Sequence, residues 1–214
     1  MLHKEPEASA FLRTEPRAKT NAPESIKLPA PDMRSGKSLM QALQDRHTSR
    51  EFSTRAVPLT AISNLLWAAF GVNRAAGGRT APSAHEWHEI DVYVATLDGL
   101  YLYDARSHAL RLVLAQDIRI KTGLQSFVAD APLNLVYVAD HSRMVEAAET
   151  DRILYSAADA GFISQNVCLY CASEGLATVV RGMVPRHELA KLMKLRSTQR
   201  VILAQSVGYP AGTH

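Results

Sequence analysis

Cysteine is nearly absent from the 214 residues, with Cys168 and Cys171 the only two. Two thiols cannot staple a disulfide scaffold, so the chain must hold itself through its core. Long apolar runs are missing too. Residues 1–25 interleave Lys, Arg, Glu and Pro, without the hydrophobic stretch of a secretory leader. No run approaches the ~20 apolar residues of a membrane span. A soluble, cytoplasmic protein with no membrane partner is expected. Charge of one sign is scarce, at net +3. Nucleic-acid binding calls for basic residues gathered on one face or stripe, and here the basic clusters are short. That excess suits a small anionic ligand better than a polymer. There is no G-x-G-x-x-G, which argues against a Rossmann nicotinamide domain. Neither Ser83 nor Ser164 has the context of a hydrolase nucleophile.

What is present is a chain that is 47% hydrophobic, enough for one core. Residues 1–31 carry Pro6, Pro16, Pro23, Pro29 and Pro31 and read as a flexible N-terminal arm, leaving 32–214 as the folded domain. Ser38 is placed to cap a helix from Leu39 to about Arg46, with Leu39, Met40 and Leu43 on its apolar side. A second helix is expected from Leu59 to Phe70, between Pro58 and Gly71. Ile90, Val92 and Val94 alternate with Asp91, Tyr93 and Ala95, a strand period. Asp98-Gly99 signals a hairpin, and Leu100–Tyr103 with Leu110–Leu114 continue the meander. Leu133–Ala139 should be a central strand buried on both faces. Residues 143–174 carry a long helical pattern ending at Gly175, apolar nearly all round in its second half and so buried. A strand at Ala177–Val180, a helix after Pro185 and a strand at Arg200–Val207 complete the chain. Helices and meandering strands without regular alternation indicate α+β.

Three segments carry candidate chemistry. Arg46-His47-Thr48-Ser49-Arg50 offers two guanidiniums, an imidazole and two hydroxyls to a phosphate, although a solvated basic turn at a helix end explains it as well. Arg79-Thr80-Ala81-Pro82-Ser83-Ala84-His85 forms a loop before a core strand, able to present backbone groups to a ligand. In Val180-Arg181-Gly182 the glycine lets the backbone approach a flat ring.

Together and in this order, the segments resemble the flavin nitroreductase superfamily. RHTSREF resembles its flavin phosphate motif, and RTAPSAHEWHEIDVYV its flavin loop and strand. GFISQNVCLYCASEGLATVVRG resembles its long dimer helix and flavin-edge strand, and VILAQSVGYP its last strand. The likeness spans roughly residues 34–210, and the Pro-Ser-Ala loop is similar to the azoline-dehydrogenase branch. The resemblance implies a nitroreductase-like α+β fold: a mostly antiparallel sheet flanked by helices, with a long helix at a homodimer interface. It implies FMN as cofactor, NAD(P)H as transient electron donor and a small organic acceptor (nitroaromatic, quinone or azoline-type), with ping-pong chemistry carried by the flavin. Carried over by motif, Arg46, His47, Thr48 and Arg50 would hold phosphate and ribityl chain. Pro82, Ser83, Ala84 and His85 would line the ring, and Val180, Arg181 and Gly182 its edge. Arg181 stands where relatives often have Glu, which leads to the expectation of a raised flavin potential. Only Ala211-Gly212-Thr213-His214 follow Pro210, where relatives often carry Lys or Arg. Weaker phosphate binding, or help from the arm, is then expected.

Three other readings compete. Cys168-x-x-Cys171 has redox spacing, but lies inside an apolar helix, where core packing is the expectation. His85 and His88 are three apart and lead into a strand, whereas the zinc protease motif needs four on a helix, so no metal is expected. A non-catalytic flavin-binding protein on the same fold is the alternative to an enzyme.

Overall fold

The computed structural model describes residues 21–212. Its frame is one seven-stranded sheet: β1 (Ser25–Lys27), β2 (Ile90–Ala95), β3 (Leu100–Asp104), β4 (Ala109–Leu114), β5 (Leu133–Asp140), β6 (Ala177–Arg181) and β7 (Gln199–Gly208). The order is β1-β4-β3-β2-β5-β7-β6, and every neighbouring pair is antiparallel. Four helices accompany it: α1 (Leu39–Asp45), α2 (Leu59–Phe70), α3 (Glu149–Glu174) and α4 (Arg186–Leu192). The α+β architecture expected from the residues is the one observed. No helix among the described residues is long and apolar enough to cross a membrane.

Local chemistry accounts for several boundaries. Ser38 and Gln41 form a reciprocal capping box at the start of α1. Pro58 precedes α2, and Gly71 closes it by donating its N–H to the Trp67 carbonyl. At the end of α3, Gly175 takes φ 69, the left-handed conformation that costs glycine little. The Leu176 N–H then reaches back to the Cys171 carbonyl at 2.8 Å. The long helix starts six residues later than the expected 143. Asp140 turns the chain first, its carboxylate accepting from the Ser142 N–H at 3.2 Å, and Glu146 has φ 68. The helix after Pro185 has no side-chain cap.

One core lies between α2, α3 and one face of the sheet. Leu65, Leu66, Ala69 and Phe70 meet Val92, Val94, Leu135 and Tyr137, with Ala160, Ile163 and Val167 from α3. On the other face Leu189 and Met193 pack on Tyr93, Val136, Val138 and Val201. All eight residues of β5 are buried, as its apolar run requires.

The arm expected at 1–31 is shorter where it is described. Ser25–Lys27 pair with Ala109–Arg111 of β4, and Leu28 is buried. Pro29 holds the segment down, its carbonyl accepting from Ser63 Oγ at 2.6 Å. These residues therefore belong to the domain, and residues 1–20 lie outside the described residues. A second difference concerns α1. Of its residues only Ala42 is buried, while Leu39 and Met40 are 63% and 73% exposed. The apolar side is there, but nothing among the described residues covers it.

Candidate functional site

Arg46 ends α1, its N–H bonded to the Ala42 carbonyl. The chain then runs extended beside β6, where the Ser49 N–H donates to the Thr178 carbonyl at 3.0 Å. Phe52 bridges to Pro210, and the Ala211 N–H bonds the Glu51 carbonyl at 3.2 Å. The expected phosphate segment is thereby pinned against the end of the last strand. Arg46 is half-buried, and His47, Thr48 and Arg50 are exposed. His47 Nδ1 donates to the Asp45 carbonyl at 2.8 Å, which leaves Nε2 for a ligand. Neither Arg46 nor Arg50 has a side-chain hydrogen bond or ion pair among the described residues. Two uncommitted guanidiniums within five residues fit an anion with several oxygens.

A cavity of about 570 Å³ opens beside this segment, lined among others by His47, Ser49, Cys168 and Thr178. Its floor is a buried polar network. Gln205 is fully buried. Its Nε2 donates to Thr178 Oγ1 at 2.9 Å and to Cys168 Sγ at 3.4 Å, and its Oε1 accepts from the Tyr137 hydroxyl at 2.5 Å. Burial raises the Cys168 thiol pKa, partly opposed by Arg46. Burial pushes Cys171 up further, and its side chain is part of the main core. Both sulfurs are thus held as thiols, the opposite of what a reactive cysteine needs.

The second segment folds differently. Thr80 anchors it, its N–H on the Gly71 carbonyl and its Oγ1 on that of Trp67. Then His85, Glu86 and His88 take φ of 51, 54 and 48, each costing roughly 1–2 kcal/mol for a residue with a Cβ. Several bonds offset this cost. The His88 N–H donates to Ser83 Oγ at 2.9 Å, and the Ala84 N–H to Asp159 Oδ2 at 3.2 Å. Arg143 Nη1 donates to the His88 carbonyl at 2.8 Å. Pro82 and His85 remain exposed, and Ser83 and Ala84 are half-buried. His85 lies on Trp87 at 4.5 Å between ring centroids, and Tyr155 packs edge-on against both. Beneath sits Glu89, fully buried, its carboxyl pKa raised by burial to about 7, with Asp159 adding to the rise.

In the third segment neighbouring side chains part. Val180 is 36% exposed, whereas Arg181 is 2% exposed, because consecutive strand residues point to opposite faces. The Arg181 guanidinium turns inward. Nη1 donates to the Thr122 carbonyl at 2.7 Å, and Nη2 to Asn134 Oδ1 at 3.0 Å. Burial lowers its pKa to about 10. Gly182 is exposed, with no atom within 4 Å of where a Cβ would stand. The side chain expected beside a ring edge therefore serves the interior. Val180, Gly182 and the backbone of Arg181 are left for a ligand.

The structure sets the first segment on β6, the strand that leads into the third, through Ser49 and Thr178, and holds the second elsewhere. Helix α3 shows why. The Pro82–His85 loop is tied to Asp159, and Asn166 Nδ2 donates to the Thr80 carbonyl; the cavity uses Cys168 and Cys171. Asp159 and Cys168 are nine residues apart, roughly two and a half turns and ~13.5 Å of rise, so they face opposite ways. Within one chain the helix stands between the loop and the cavity.

The sequence reading missed Gln205, Tyr137 and Asp159. Gln205 did leave a signal, as a lone amide in the apolar strand VILAQSVG. Asp159 left none, since one acid in a long helix is ordinary. Arg55, also missed, lies with its Cζ 3.9 Å from the Tyr209 ring centroid. It sets a cation beside the end of the last strand.

The nitroreductase family model matches residues 43–209. A crystal structure of a nitroreductase homologue from Ralstonia eutropha JMP134 is 48% identical, with TM-score 0.89, covering 93% of this chain and 96% of that one. A nitroreductase homologue of Methanocaldococcus jannaschii is 28% identical over 183 residues, 81% of this chain and 92% of its own length. The NADPH:FMN oxidoreductase of Vibrio harveyi, solved with NAD+, shares the fold at 20% identity and TM-score 0.62, over 82% of this chain and 70% of that one.

Proposed function

The chain belongs to the nitroreductase family, and from that premise we propose that it is an FMN-dependent oxidoreductase. It passes reducing equivalents from NAD(P)H to a small organic acceptor, of nitroaromatic, quinone or azoline type. One observation carries the reading: a segment with two uncommitted guanidiniums is hydrogen-bonded onto β6 at the rim of a cavity. Arg46, Arg50 and Thr48 are the phosphate and ribityl donors, His47 offers Nε2 to a ribityl hydroxyl, and Arg55 adds a cation beside the last strand. Bound FMN supplies two-electron transfer, while the protein supplies orientation and electrostatics. The exposed Val180 and the open space at Gly182 leave room for a flat ring edge.

The same geometry supports a homodimer. The Pro82–His85 loop is turned away from its own chain's cavity, so a second copy must bring that loop to the ring. The uncovered Leu39 and Met40 of α1 and Phe162 of α3, the last 47% exposed, provide an apolar face for that copy. Replacing Met40 with Glu and Phe162 with Asp should give a monomer that no longer retains FMN. A monomer that still binds FMN tightly overturns the shared site.

The cofactor test is an absorbance spectrum after mixing with FMN and desalting. A flavin band near one per protomer, bleached anaerobically by NADH or NADPH, is expected. No retained flavin overturns the proposal. Retained flavin that neither nucleotide bleaches points to the binding protein on the same fold, or to another electron donor.

A further inference from the structure

Beneath the Pro82–His85 loop lie two carboxyl groups that the proposed flavin site does not use. Glu89 is fully buried and Asp159 is 2% exposed. They are within hydrogen-bond reach of each other. Glu89 Oε2 accepts from Ser83 Oγ at 3.3 Å, whereas its buried Oε1 has no donor. Two carboxylates in contact and out of water cannot both ionise cheaply. A proton on one gives the other a donor and removes the repulsion.

The loop is tied to both members of the pair. Ser83 holds Glu89 and lies within hydrogen-bond reach of Asp159, and the Ala84 N–H holds Asp159 at 3.2 Å. Ser83 Oγ in turn accepts the His88 N–H at 2.9 Å, which closes the strained turn. Any change in the spacing of the two carboxyls therefore acts on the Ser83–Ala84 peptide and on the turn behind it.

We infer that Glu89 and Asp159 share one proton, and that this proton sets the geometry of the Ser83–His88 loop. With the proton in place the pair carries one negative charge and the loop is held as described. Its loss leaves two charges in contact, and the loop tethers part. Glu89 and Asp159 are positioning residues, acting on a ligand only through the loop. The consequence for a cofactor rests on reading that loop as a wall of the flavin site, but the proton sharing does not.

Other ionisable groups face this region. His88 lies next to the pair, with burial and then Arg79 lowering its pKa. Arg143 bonds the His88 carbonyl and Asp91, and Arg106 and Glu86 lie further out. On the helix side, His141 Nε2 is 3.3 Å from Ser156 Oγ. Asp140 ends β5 beside Glu89, its N–H on the Glu89 carbonyl at 2.9 Å and its carboxylate engaged by Arg143 and Arg196. None places a cation in direct contact with Glu89 that would make its ionisation easy.

The test is NMR of the apo-protein with 13C-carboxyl-labelled glutamate, the Glu89 signal assigned by its loss in Glu89→Gln. Its midpoint should fall near 7, and the amide signals of Ser83, Ala84 and His88 should move with it. In Asp159→Asn the Glu89 midpoint should drop by one pH unit or more. In Glu89→Gln the three amides should lose that step. A Glu89 midpoint in the ordinary carboxylate range overturns the inference, and the wild-type titration reads it once the signal is assigned. So do amide steps that persist unchanged in Glu89→Gln, because these belong to His88. FMN affinity, measured in parallel, should break at the same pH in the wild type and not in Glu89→Gln. A protein that shows the coupled titration yet retains no FMN supports the shared proton and refutes the flavin reading alone.

Discussion

Tyr137→Phe removes one oxygen from the centre of the fold, and its cost can be worked from the bonds around it. Among the described residues the hydroxyl is the donor to Gln205 Oε1, at 2.5 Å, and both residues are fully buried. Without it the buried amide oxygen loses that partner. Leaving one buried acceptor unsatisfied costs about 1–3 kcal/mol. For a chain of this size each kcal/mol moves the melting temperature by about 2–4 °C, so a loss of about 4–8 °C is expected at the centre of that range. Gln205→Met alone leaves the Tyr137 hydroxyl without an acceptor and also removes the donor to Thr178 Oγ1. It should cost at least as much. The double variant removes donor and acceptor together, so its cost should fall short of the sum by about 1–2 kcal/mol. Urea unfolding of the four proteins measures that coupling. Additivity to within about 0.5 kcal/mol would falsify the claim that this hydrogen bond organises the floor of the cavity.

Arg46→Ala should weaken FMN binding by about 1.5–3 kcal/mol, the worth of a hydrogen bond to a charged group, read by fluorescence titration; unchanged affinity puts the phosphate elsewhere. Glu89→Gln should alter the pH dependence of stability. The Glu89 pKa is raised on folding from 4.5 to about 7, so between those values the folded state holds a proton the unfolded state has lost. Stability therefore falls as pH rises through that window, by roughly 3 kcal/mol in all. Denaturation at pH 5 and pH 8 should show this decline in the wild type and most of it removed in the variant; parallel curves refute it. Arg181→Lys keeps the charge but not the planar fork that reaches both Thr122 and Asn134. A loss of about 1.5–3 kcal/mol in urea is expected, and an unchanged midpoint contradicts the assigned role.

The residues that announced themselves in the sequence did so through local chemistry. Pro58 and Gly71 bracket α2 because one cannot donate an N–H and the other ends a helix easily, and neither effect needs a tertiary partner. The run Leu133–Ala139 could only be a strand covered on both sides. β1 escaped notice for the opposite reason. Ser-Ile-Lys has no pattern of its own, and its pairing partner Ala109–Arg111 lies more than eighty residues away. The site divided along the same line. Val180 and Arg181 were both expected at a ring edge, yet strand alternation alone sets their side chains on opposite faces. The grouping of the three segments was a different matter. Their order along the chain says nothing about which side of α3 each one meets. That depends on Ala84 finding Asp159, and Ser49 finding Thr178, contacts made only on folding. The half-turn between Asp159 and Cys168 sets the loop and the cavity on opposite sides of α3. The apolar side of α1 belongs to the same argument. Leu39, Met40 and Leu43 have the spacing of a buried stripe, and all three are exposed. A pattern written for burial that the described residues leave bare supports the second copy proposed for the site.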